Sequence, residues 1–176
     1  MAWIGMPPGT GVRGRFGPAA CGSPWIGWPG AVSGWRSLVE APIAAEVEVL
    51  EDAGLDGMDR LRRVLDLILA EEDEAAAEGH AAGCMVVGSR MTPDIQDRDE
   101  RVGHLLDRSL DRQLSLLAHA VGAGQRDGTV RTDLAPREVA LLVVSTISGI
   151  RVLAQAGTRP DELRRVAALT LDALRP

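Results

Sequence analysis

The sequence predicts an all-α protein, a helical bundle of about six helices whose last two form a four-helix interface between two copies of the chain. Three observations lead there. From Ser37 onward apolar residues recur at three- and four-residue intervals, and no convincing strand pattern interrupts them. One run of helical length, Val139 to Ile150, carries no charge on any face. The chain has 176 residues with 45% hydrophobic content, enough for one well-buried core and no second globular domain.

Residues 1–35 stand apart. They hold all four Trp (Trp3, Trp25, Trp28, Trp35) and the only Phe, Phe16, together with half of the Pro and much of the Gly. Pro and Gly at that density cannot propagate a helix, and neither an apolar stripe nor strand alternation is present, so the segment reads as irregular or disordered chain. Residues 36–176 form the second region.

The first predicted helix spans about 37–52 through Leu38, Val39, Ile43, Val47 and Leu50, and ends at the turn Ala53-Gly54. A second starts near Asp59 with Leu61, Val64, Leu65 and Ile68 on one stripe. Its acidic continuation, Glu71 to Glu78, reads as a solvated end that frays before Gly79. Gly83-Cys84-Met85-Val86-Val87 fits a buried strand or a short helix, and its helical neighbours favour the helix.

Thr92 then reads as an N-cap with Pro93 at the first helical position. The long helix that follows places Val102, Leu106, Leu110, Leu114, Leu117 and Val121 on one face and stops at Gly128. Asp133-Leu134-Ala135-Pro136 opens the next helix, which runs to Gly157. Thr158-Arg159-Pro160-Asp161 reads as a capping-box start for the last one, with a seam of Leu163, Val166, Ala167, Thr170, Leu171 and Leu174.

A helix without charge on any face needs cover on two sides. Leu141, Ser145, Ser148, Gly149 and Val152 fall at helical spacing, and their small members allow two backbones to approach closely. With Leu163, Val166, Thr170 and Leu174 of the final helix beside them, they are the expected interface of a two-fold homodimer. The alternative is a central helix of a monomer, wrapped by the other five.

The net charge is -6, yet residues 1–39 contain three Arg and no acid, so the body carries about -9. An acidic body gains no counterion-release term on DNA, and specific nucleic-acid binding by this chain alone is not expected. Cys21 and Cys84 make no disulfide framework, which suits a reducing cytoplasm. Pro7, Pro8, Gly9 and Gly11 break any signal-peptide core, and the uncharged run Val139 to Ile150 falls short of the ~20 residues of a membrane-spanning helix.

Several strings resemble the carboxy-terminal domain of TetR-family regulators. Ala123-Gly124-Gln125-Arg126-Asp127-Gly128-Thr129-Val130-Arg131-Thr132-Asp133-Leu134-Ala135-Pro136 is similar to that family's linker between its long helix and its dimerisation helix. Gly83 to Val87 resembles the short helix before the long one, and Arg36-Ser37-Leu38-Val39-Glu40-Ala41 resembles the exit from the helix-turn-helix domain. The resemblance covers residues 36–176 and implies a repressor-type regulator with its pocket inside the bundle and its last two helices dimerising. Residues 1–35 do not match the family's DNA-binding helices, which suggests another reading frame or a misplaced start upstream of Arg36. DNA contact is expected only through a helix-turn-helix not evident here. A stand-alone module that heterodimerises with intact regulators is the alternative.

A pocket of that kind is mainly apolar with a few orienting polar groups. Leu65, Met85, Met91, Leu105 and Leu142 are its candidate lining, and Arg101, His104 or Gln113 the groups that orient a small-molecule effector of unknown identity. No catalytic residue, metal site, cofactor or membrane association is expected. The Gly9-Thr10-Gly11-Val12-Arg13-Gly14 string has no flanking strand and helix. The absence of Lys removes P-loop and Schiff-base chemistry. His80, Cys84, His104 and His119 lack the spacing of a zinc site.

Overall fold

The computed structural model describes residues 45–80, 82–83, 87–88, 90 and 100–176. All lie within the unit Val32–Pro176. The irregular segment predicted for residues 1–35, the predicted cap Thr92-Pro93, and Cys84, Met85 and Met91 lie outside the described residues.

The described residues are helical apart from turns: a segment over residues 45–51, then α1 (Gly57–Ala77), α2 (Glu100–Asp127), α3 (Pro136–Gln155) and α4 (Pro160–Ala173). Residues 87, 88 and 90 are also helical, and no strand occurs among the described residues. Helices α1 and α3 form the middle of the bundle, each packing on all three other long helices, while α2 and α4 flank them. The core is aliphatic. Leu61, Val64, Leu65 and Ile68 of α1 meet Leu117 and Val121 of α2, Val139, Val143 and Ile150 of α3, and Leu171 and Leu174 at the end of the chain.

Helix α1 starts two residues before its predicted position, because Asp56 is its N-cap and accepts from the Asp59 amide at 2.8 Å. Its amino end has further partners far along the chain. The Gly57 amide donates to Asp127 Oδ2 at 3.0 Å and the Met58 amide to Thr129 Oγ1 at 3.2 Å. The first three amides of the helix, which have no acceptor within it, are thereby all satisfied.

The acidic continuation of α1 departs from expectation. Helix α1 persists to Ala77, and Glu72 is buried at 5% exposure rather than solvated. Its charge is met from α3, whose Arg151 reaches Glu72 at 3.2 Å and also pairs with Glu71. Asp73 pairs with Arg164 of α4. Acid-rich text at the end of an amphipathic helix reads as solvent-facing only while no basic partner stands opposite.

Helix α2 ends at Asp127, and Gly128 follows at φ +82°, the left-handed conformation that closes a helix and favours glycine. The Thr129 and Val130 amides return to the Gly124 carbonyl at 2.9 and 3.0 Å. Beyond this stop, Gln125 Nε2 donates to the carbonyls of Arg131 and Leu134, and the Arg131 amide donates to the Leu174 carbonyl at 2.9 Å. The linker between α2 and α3 therefore fastens the start of α1, the end of α2 and the end of α4.

Helix α3 ends at Gln155 with Gly157 just beyond its cap. Helix α3 opens at Ala135, within the expected string, whereas the cap of α4 is shifted by one residue. Glu138 accepts from the Ala135 amide, and Glu162 from the Arg159 amide, so Arg159 and not Thr158 is the N-cap of α4.

Candidate functional site

Two features of the bundle are candidates for function: a polar cluster buried between its helices, and an apolar face left open on α3 and α4. Arg151 is the only charged residue between Glu138 and the end of α3. It follows Ile147 by one helical turn on the buried side of the helix and is only 8% exposed. Besides its two glutamates, the guanidinium donates to the Gly83 carbonyl at 3.4 Å. Glu72 in turn accepts from the Ala82 amide at 3.1 Å. The chain after α1 is thus held against α3 by one guanidinium and one carboxylate.

Beside this cluster lies Glu46, 5% exposed, on the segment 45–51. It stands one turn before the core residue Leu50, so the same spacing that buries Leu50 turns the Glu46 carboxyl inward. Gln113 Nε2 of α2 donates to it at 2.9 Å. Burial holds this carboxyl above the ordinary glutamate value, aided by the charge of Glu71 and opposed by the Gln113 hydrogen bond and by Arg151. No buried side-chain nitrogen or oxygen among the described residues lacks a hydrogen-bond partner.

Of the residues expected to form a pocket, Leu65 and Leu105 are buried and Gln113 is half-buried beside Glu46. His104 and Arg101 are exposed on α2. Leu142 is 41% exposed and does not face the bundle interior; it shares the open face of α3 with Leu141. An open groove of roughly 400 Å³ runs between α1 and α4, with Leu65, Leu69, Ala167 and Leu171 in its wall and Asp73 and Arg164 beside it. Among the described residues expected to form a pocket, Leu65 alone touches it. Among the described residues, no group of three or more His, Cys, Asp or Glu converges as metal ligands would.

The second feature lies on the last two helices. Among the described residues, the six large exposed hydrophobic side chains all belong there: Leu141, Leu142, Val152 and Leu153 on α3, Val166 and Leu169 on α4. Leu169 is 69% exposed. Thr146 and Thr170 join the two helices by a hydrogen bond of 3.1 Å, so α3 and α4 lie side by side there. Ser145 is exposed on it, and Ser148, Gly149 and Thr170 are partly exposed.

Two residues expected on that interface lie elsewhere. Leu163, at 3% exposure, and Leu174, at 0%, face the core of their own chain with Ala167 and Leu171. The predicted seam of α4 is the stripe that holds this helix on α1 and α3, and the outward apolar positions are Val166 and Leu169. Helix α3 is central, as the monomeric alternative required, yet its outer side stays uncovered. By length and composition alone it could also cross a membrane. Its inner side is instead committed to the core through Val139, Val143, Ile147 and Ile150, with Arg151 among them.

Sequence reasoning passed over Glu46 and Arg151, the two ends of the buried polar cluster. A signal existed for both: each is a charge that continues an apolar helical stripe, with Leu50 in one case and Ile147 in the other.

Residues 57–170 match a family described as tetracyclin repressor-like, C-terminal domain. Among solved structures, the chain is similar to a TetR transcriptional regulator from Chloroflexus aurantiacus J-10-FL. The TM-score is 0.57 at 17% identity, over 81% of this chain and 67% of that one. At that identity the likeness speaks for the fold. No curated protein matches this chain.

Proposed function

This chain belongs to the family of tetracyclin repressor-like C-terminal domains, and from that premise we propose that it is the effector-binding and dimerisation part of a ligand-responsive transcriptional regulator in the cytoplasm. As a domain of such a regulator it is not an enzyme. The observation that carries the proposal is the open apolar face on α3 and α4. Fully burying one leucine contributes about 1.5–3 kcal/mol, and six large apolar side chains on one face favour a covering surface of like character. A second copy related by a two-fold axis supplies that surface with the same residues.

The effector reading draws on the bundle interior. Gln113 and Glu46 are polar groups held among aliphatic side chains, which is how a mainly apolar site orients a ligand. An effector there acts by favouring one position of the segment 45–51 over another, and that segment leads back along the chain toward any DNA-binding head. Binding to specific DNA by this chain alone is not part of the proposal, because its acidic body repels phosphates.

Two measurements test this. Light scattering at micromolar concentration is expected to return twice the chain mass, and a monomer would overturn the dimer. Thermal shift against a panel of small aliphatic and polar molecules is expected to find ligands that raise the melting temperature by mass action. A second reading, in which the same face pairs this chain with an intact regulator and blocks its DNA binding, is favoured by the acid surplus of the body. A gel shift with the chain alone and mixed with such a relative separates the two: loss of the relative's shifted band on mixing supports the second.

A further inference from the structure

We propose that docking of the helical segment 45–51 onto the bundle is proton-linked, the Glu46 carboxyl taking up a proton when the segment docks and releasing it when the segment lifts away. Glu46 and Leu50 are the two inward anchors of this segment, at 5% and 2% exposure. Leu50 packs into the core regardless of pH, whereas Glu46 brings an ionisable group to a place where the cation Arg151 is shared with Glu71 and Glu72.

The groups that face it come from three helices. Gln113 of α2 is neutral and donates one hydrogen bond. Glu71 of α1 is a like charge. Among the described residues Arg151 of α3 is the one cation that acts on it, and its guanidinium is already engaged by Glu71, Glu72 and the Gly83 carbonyl. Three carboxylates around one guanidinium leave negative charge uncompensated beside the buried Glu46 carboxyl, so docking disfavours its charged form relative to the neutral acid. The protonated carboxyl keeps its bond from Gln113 Nε2.

The direction follows from linkage. A carboxyl whose value is raised on docking stabilises the docked state fully below its ordinary value of 4.5 and progressively less as pH rises through the raised value. At one proton per event, opening increases by up to about tenfold per pH unit inside that window and levels off above it. Control of the segment by pH becomes control of a regulator only under the effector reading given above. The linkage itself does not require it.

The test uses the full chain without effector. Hydrogen–deuterium exchange of the amides in residues 45–51 is followed from pH 5 to 8, each rate divided by its intrinsic rate. Protection in the native chain is expected to fall with rising pH, and Glu46→Gln, which stays neutral, to give a flat profile. Equal slopes in both proteins would overturn the linkage. The ¹³C carboxyl shift of Glu46 in the unaltered chain gives a second readout that survives misfolding of the variant. A midpoint above 4.5 supports the proposal, and one at or below it refutes it. Neither readout involves an effector, so failure here is distinct from failure of the thermal-shift screen.

Discussion

A Cβ atom on Gly57 would lie 2.2 Å from the Cα of Gly124 and 2.3 Å from its amide nitrogen. Helix α1 therefore begins in direct backbone contact with the last turn of α2, at a distance that leaves no room for a side chain on Gly57. The same junction brings Asp127 and Thr129 to the free amides of Gly57 and Met58, so close packing and helix capping are one arrangement.

Gly57→Ala is expected to destabilise the fold by about 3 kcal/mol, the upper part of the range for overpacking, since the obstructing atoms are backbone and cannot rotate away. Gly122→Ala, in α2 with nothing within 4 Å of an added Cβ, is expected to stabilise by up to about 1 kcal/mol through helix propensity. Urea unfolding of the two variants beside the native chain checks the pair, and equal stabilities would refute the tight crossing.

Asp127 is held below its ordinary value of 3.8, first by the hydroxyl of Thr129 and further by the amides of Gly57 and Thr129. A depressed carboxyl contributes its stability above the ordinary value and loses it as pH falls below 3.8 toward the folded-state value. Asp127→Ala is expected to cost about 1 kcal/mol at neutral pH, as loss of a cap does, and to lose less stability on acidification than the native chain. Urea midpoints measured between pH 2.5 and 7 read both effects; a constant gap between the two proteins would count against this role.

Removing one partner of a buried charge group leaves the others uncompensated. Arg151→Leu is expected to destabilise by about 3–5 kcal/mol, and the double change Arg151→Leu with Glu72→Leu by clearly less than the sum of the two single changes. A double-mutant cycle on thermal unfolding measures the coupling. Additive costs would mean that the 3.2 Å contact carries no net interaction.

Leu141→Asp places a charge on an exposed side chain of the α3 face, 48% accessible in the single chain. In the proposed dimer it enters the interface twice, and the dissociation constant is expected to rise at least about a hundredfold. Light scattering should then return a monomer at concentrations where the native chain is dimeric, with the helical circular dichroism retained. A variant that remains dimeric would remove this face from the interface.

Helical intervals in the apolar text gave the fold class and the course of α1, α2, α3 and α4, because a helix shows which side it buries in the order of its own residues. Val139, Val143, Ile147 and Ile150 illustrate it: their three- and four-residue spacing fixes the inward stripe of α3 without any partner being known. Gly128 was equally legible as the stop of α2, since a left-handed residue there is a local requirement.

Only the tertiary structure decided what depends on two distant segments meeting. Nothing local to Glu72 reveals Arg151 opposite it, so an acid run that reads as solvated proved to hold a buried ion pair. Nothing in the order of α4 tells which of its two apolar stripes is outward; packing on α1 and α3 took Leu163 and Leu174 inside and left Val166 and Leu169 exposed. Asp127 and Thr129 read as turn residues until α1 arrives 70 positions away in sequence to use them as caps. Periodicity is a property of one helix, and charge compensation and capping across a bundle are properties of pairs, which a linear order does not contain.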